Sequence, residues 1–331
     1  LSNDTPARLP VPGEDPVFRT DGFESASPPV DPGHYTRVRF QHTWWKHILL
    51  FVLTLVTTTL VGAERHYAFL SDFGRTRLPL ELWSFLLSGL WYSGTILAIL
   101  GAHEMGHYLA CRKYNVDATL PYFLPLFFPG VGLQIGTLGA VIRIREPFPT
   151  RRVLFDIGVA GPIAGFVVLV PALFWGLSMS VVTAIPDGTM IWLGKPLLYR
   201  TARWLMFGTL PDGMMLNLHP MVFAAWFGML ATALNLLPFG QLDGGHITYA
   251  TVGRFSTPIS LVTVASAVVM TFISHTWLLT TVVMLVMLVL LGPRHPRVID
   301  EYEPIGRGRY LTAVFALVML ILCFTPIPID L

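Results

Sequence analysis

Apolar residues in this chain come in long blocks rather than in the short alternating runs of a soluble domain. The blocks lie near 47–63, 82–110, 154–183, 221–239, 257–274, 277–292 and 310–327. Several approach the roughly 20 residues that a bilayer-crossing helix needs. The pattern predicts an all-α polytopic membrane protein of about 6–8 transmembrane helices. The 257–274 and 277–292 blocks, parted only by the SHTW turn, predict a tight helical hairpin.

Two stretches break the pattern. In 118–146 three prolines, Pro121, Pro125 and Pro129, forbid a regular helix. The second half, LQIGTLGAVIRIR, alternates at Val141 to Arg145 and contains bend-forming glycines. It predicts a small membrane-associated β-hairpin or sheet element. Residues 185–220 read as an outer loop, with LLYRTARWLMF as an amphipathic helix on the membrane surface. Residues 1–46 are rich in Pro, Asp, Glu, Ser and Gly, and are expected to form a flexible cytoplasmic tail. The folded domain is then 47–331. The first apolar run begins only near His47, so it is read as a retained anchor rather than a cleaved leader.

Composition agrees with a bilayer setting. Of 331 residues 53% are hydrophobic and 13% charged, with mean hydropathy +0.60; soluble domains are nearer about 25% charged. A net charge of +2 gives no reason to expect a nucleic-acid partner. Cys111 and Cys323 lie far apart in apolar surroundings, which argues against a disulfide framework or a thiolate metal site. With the N-terminal segment cytoplasmic and the blocks alternating, sixteen of the 22 Lys and Arg residues fall on cytoplasmic segments, as the positive-inside rule requires. The expected location is a bacterial inner membrane, with the chemistry near the cytoplasmic face.

That chemistry is announced by LAILGAHEMGHYLACRK, where an apolar run meets His103, Glu104 and His107. Residues four apart on a helix differ by about 40° of rotation, so both imidazoles share a face and can share a metal. Glu104 can reach a water held there, and HExxH is the arrangement of zinc hydrolases. Ionisable groups on a spanning helix cost roughly 2.5–3.5 kcal/mol each, so they need a compensating role. Two histidines leave zinc short of the third protein ligand a catalytic site usually has. The candidate is Asp243 in NLLPFGQLDGGH, where Pro238 and three glycines interrupt a helix at the same membrane depth. His246 competes as ligand or is a loop residue. Asp156 either orients a ligand histidine or pairs with Arg152.

HEMGH followed by NLLPFGQLDGG resembles the site-2 protease family of intramembrane zinc metalloproteases. Both of that family's motifs, HExxH and N-x-x-P-x-x-x-L-D-G, stand here without substitution: His103, Glu104 and His107, then Asn235, Pro238, Leu242, Asp243 and Gly244. The intervening GTLGAVIRIREPFPTRRVLFDIGVAGPIAG is similar to the bacterial and plastid-type branch. No stretch reads as the PDZ domain some relatives carry. The resemblance implies one Zn²⁺ per chain on His103, His107 and Asp243, with Glu104 as base. It also implies a lipid-embedded, transmembrane-protein substrate cut in or beside its helix. Asn235 is either a donor to the substrate backbone or oxyanion, or a helix-packing amide. The competing readings are a non-proteolytic metal-binding membrane protein, such as a transporter or chaperone-like relative, and a membrane zinc hydrolase of lipid-linked substrates. The GPIAG run is read as helix packing.

Overall fold

The longest apolar blocks fold as the longest helices. The computed structural model describes residues 40, 42–79, 81–127, 134–186, 192–292 and 295–330, all within one unit, Arg39–Leu331. Residues 1–39, most of the expected tail, lie outside the described residues. The elements in order are α1 (Trp44–Leu70), α2 (Leu82–Ser88), α3 (Leu90–Lys113), β1 (Tyr122–Pro125), β2 (Thr137–Val141), α4 (Arg151–Ser178), β3 (Val181–Ala184) and β4 (Trp192–Leu193). There follow α5 (Leu197–Phe207), β5 (Met214–Asn217), α6 (Pro220–Asn235), α7 (Asp243–Val252), α8 (Ser256–Ile273), α9 (Trp277–Leu291), α10 (Arg307–Cys323) and β6 (Ile329–Asp330).

Among the described residues, four helical stretches are long and apolar enough to cross a membrane: Trp44–Leu70, Leu82–Lys113, Arg151–Ser178 and Asp243–Ile273. The last is interrupted. Gly253 adopts φ 57°, and α8 folds back until the hydroxyls of Ser260 and Thr263 reach the Pro238 carbonyl. Helices α6 and α9 are apolar but shorter. The expected hairpin is present as α8 and α9. Their outward faces are apolar, with Phe272 86% and Val289 82% exposed, which suits lipid rather than water.

Helices α3, α4 and α6 form the core. Ile99, Leu169 and Met229 are buried where they meet, and Gly228 lets the side chains of Ile99 and Leu169 approach α6 closely. Helices α3 and α4 touch backbone to backbone at Gly106: a Cβ there would stand 2.5 Å from the Ala160 carbonyl oxygen.

The proline-rich stretch is an antiparallel pair, β1 with β2, registered Tyr122 to Val141 and Leu124 to Gly139. The strand sits earlier than the alternation at Val141–Arg145 predicts; that part contributes only a bridge from Ile144 to Ala118. Residues 128–133 lie outside the described residues. The pair is strapped to α1 over a long distance. His47 stacks on Tyr122 at 4.0 Å, Phe51 meets Phe123, and Thr57 donates to the Gly136 carbonyl at 2.7 Å. From His47 to Thr57 is about 15 Å of helix, so the pair penetrates well into the bundle.

The expected amphipathic helix is α5. Two pairings around it had no counterpart in the sequence reading. β3 pairs with β5, and β4 with the C-terminal β6. Each is two to four residues long, too short for periodicity to register.

Replacing Gly106 by Ala is expected to cost about 1–3 kcal/mol through overpacking. This should appear as a lower melting temperature in detergent. Gly94→Ala, on the same helix with no atom within 4 Å of its Cβ, should leave melting unchanged.

Candidate metal centre

Helix α3 presents His103 and His107 on one face, and both are buried. Asp243 arrives from the other side. The sequence reading placed it inside a non-helical break; the break is in fact Leu236–Leu242, and Asp243 is the first residue of α7. The break folds back so tightly that a Cβ at Gly244 would stand 2.0 Å from the Leu236 carbonyl oxygen. The motif therefore needs glycine just after the aspartate.

Three donor atoms converge. His103 Nε2 is 3.1 Å from Asp243 Oδ2, His107 Nε2 is 3.2 Å from Asp243 Oδ1, and the two Nε2 atoms are 3.1 Å apart. One ligand atom from each of the three lies within 4.8 Å of the other two. A tetrahedral zinc with arms of about 2.0–2.1 Å sets its ligand atoms about 3.3 Å apart, so the spacing fits one such ion. The His107 Nδ1–H donates to the Ile157 carbonyl at 2.7 Å. That bond leaves Nε2 with a lone pair for a metal.

Glu104 is 8% exposed, with Oε1 4.0 Å from His103 Nε2. The backbone N–H of Ile142, just past β2, faces its carboxylate. Asn235, the last residue of α6, places Nδ2 3.4 Å from His103 Nε2. The structure thus brings together all five residues singled out from the sequence.

Two alternatives resolve differently. His246 is a helical residue of α7 and lies outside the donor group. Its Nδ1 meets His295 Nε2 at 2.6 Å, while His295 Nδ1–H donates to the Pro296 carbonyl. Burial holds His295 below the ordinary histidine pKa. Asp156 bonds to none of His103, His107 or Arg152. It accepts from Arg309 Nε at 2.7 Å and from the Tyr114 hydroxyl, joining α10 to α4 and the end of α3. Arg152 pairs instead with Glu303 at 2.9 Å.

Helix α4 backs the donors, a support the sequence did not lead one to expect. Gly158, Gly161 and Gly165 fall on one face of that helix. A Cβ at Gly161 would stand 2.1 Å from His107 Nε2, and one at Gly165 3.1 Å from His103 Cβ. The spacing three and then four apart was the available signal. The GPIAG run therefore packs against the side chains of His103 and His107.

These helices and this buried donor set define a polytopic membrane protein with three side chains placed to hold one metal ion. The chain belongs to Peptidase family M50, the site-2 protease family, whose model it matches over residues 91–279. It is 28% identical over 237 residues to the probable zinc metalloprotease EGY1, chloroplastic, of Arabidopsis thaliana, covering 64% of this chain and 41% of that protein. It is 32% identical over 175 residues to the probable zinc metalloprotease EGY2, chloroplastic, of Oryza sativa subsp. indica, covering 51% and 30%. The chain therefore spans less than half the length of these relatives. No solved structure matches it. The named relatives are chloroplastic, so they lend no support to the expected bacterial inner membrane; a multi-pass membrane location stands.

Gly161→Ala is expected to displace the His107 ring and weaken zinc binding by about 10–100-fold, measured by competition with a chromogenic chelator. Gly101→Ala, whose Cβ would meet only Phe123 at 3.6 Å, should leave the affinity unchanged.

Proposed function

We propose that this chain is a zinc-dependent intramembrane endopeptidase that hydrolyses peptide bonds in or beside the transmembrane helices of membrane-protein substrates. The observation that carries the reading is Glu104, buried 4.0 Å from an imidazole of the donor group. Metal storage or transport needs ligands but no adjacent base; hydrolysis needs both.

His103, His107 and Asp243 hold the zinc, which when bound supplies Lewis acidity to the reacting water and carbonyl. Glu104 takes the proton of the attacking water and returns it to the departing amide nitrogen, as general base and then acid. Asn235 directs its amide N–H toward the same point and is assigned to the substrate carbonyl as it gains negative charge. The N–H of Ile142 holds the Glu104 carboxylate in place.

A substrate helix hides its carbonyls in internal hydrogen bonds, so it must be unwound before it is cut. Among the described residues β2 has one strand partner, β1. Its other edge is offered to an extended substrate as a further strand. The centre sits near the cation-rich face. Gly161, opposite His107, is about 15 Å along α4 from Arg151, and His107 is about 9 Å along α3 from Lys113. Water enters from that side. Helices α6 and α7 together make one crossing, and α8, α9 and α10 make the last three, giving seven within an intramembrane domain of 47–331.

Glu104→Gln should retain zinc and lose cleavage of a helical membrane substrate by about 10²–10⁴-fold, with mass spectrometry reading the products. Undiminished cleavage would remove Glu104 from the chemistry. Cleavage of lipid-linked compounds but no peptide bond would favour the lipid-hydrolase reading. Val141→Pro should lower turnover while zinc content is kept; unchanged turnover would end the strand-addition reading.

A further inference from the structure

A cavity of about 1050 Å³ lies far from the donor group of His103, His107 and Asp243. It is bounded by α5, β4, β5 and the first turns of α6. From Val222 in its wall to Asn235 at the centre is about 20 Å of helix, so the two sites occupy opposite ends of α6.

Its chemistry is one-sided. Lys195, Arg200 and Arg203 line it, and no Asp or Glu is among the described lining residues. None of the three cations makes an ion pair with a described residue. The deeper wall is apolar: Leu216, Val222 and Trp226 are buried. The indole N–H of Trp226 is already committed to the Gly194 carbonyl at 2.7 Å, so that ring offers the cavity only hydrocarbon. At the rim Trp192 and Trp204 are exposed, the residue type that settles where a bilayer meets water. The charge distribution is unusual for this face. Only six of the 22 Lys and Arg residues fall there on the alternating topology, and three of them surround this one opening.

We propose that this cavity binds one anionic phospholipid, with its headgroup held by Lys195, Arg200 and Arg203 and part of an acyl chain against Leu216, Val222 and Trp226. A fully water-soluble anion would use the cations but leave the apolar wall wet. A neutral lipid would leave three positive charges uncompensated. The volume is at the upper end of the roughly 300–1,000 Å³ of ligand pockets, which accommodates a headgroup and part of a chain. A lipid seated there would join α5 to α6. The proposal is independent of the proteolytic reading.

The test is native mass spectrometry of the full chain released from nanodiscs containing equal phosphatidylglycerol and phosphatidylcholine. The chain should retain one phosphatidylglycerol with at least about a tenfold preference, since each cation close to an anionic headgroup adds several-fold. In Lys195→Gln/Arg200→Gln/Arg203→Gln the preference should fall to near unity, with zinc content unchanged. No preference in the unaltered chain would overturn the proposal, as would a preference that survives the triple substitution. Should that variant not fold, a photoactivatable phosphatidylglycerol on the unaltered chain decides. Labelling of α5, β5 or the start of α6 supports the site, and labelling confined elsewhere overturns it. Equal displacement of the label by glycerol phosphate or by an acidic peptide would reassign the cavity to a soluble anion or a protein segment.

Discussion

The Asp243 carboxylate stands between two imidazoles, 3.1 and 3.2 Å away, in a setting with little water. An isolated carboxylate in an apolar helix is costly, and so are two exposed imidazole nitrogens with nothing to bind. Each group is tolerable only because the others are there. The rest of the fold follows from keeping them together. One helix must present two residues at i and i+4, and another must begin exactly opposite. A third must approach closely enough to lock both rings without intruding on them.

That third helix is α4, and its contribution is an absence of side chains. Along Gly158, Gly161 and Gly165 its backbone lies against the donors and supplies the Ile157 carbonyl to His107. Interior prolines Pro162 and Pro171 are tolerated there, because neighbouring helices enclose the bundle. The outer parts of the chain then reinforce this arrangement. Arg309 and Tyr114 converge on Asp156, and His295 braces His246 one turn beyond the aspartate.

The centre was more legible in the sequence than its supports were. His103, Glu104 and His107 are neighbours in sequence, so helical geometry alone places them on one face. Asp243 is 140 residues from His103, yet the cluster of proline and glycine around it marks a helix that must be interrupted. Partners set purely by tertiary contact left no such mark. Nothing local says that Asp156 meets Arg309 rather than Arg152, or that His246 turns to His295. The short pairings β3 with β5 and β4 with β6 are likewise decided by the packing of whole helices. The Val141–Arg145 alternation marks only the end of the strand: regular pairing stops at Val141, and beyond it the chain keeps a single bridge from Ile144 to Ala118.

The anchoring of β1 and β2 to α1 has a consequence for where this molecule's working unit begins. The hairpin that brings Ile142 to Glu104 is held by His47, Phe51 and Thr57. All three precede residue 91, where the family resemblance starts. The leading helix is thus a support of the β1–β2 pair and not a mere tether. A fragment cut back to the recognisable stretch would keep His103, Glu104, His107 and Asp243 and lose the surface that steadies the strand pair beside Glu104.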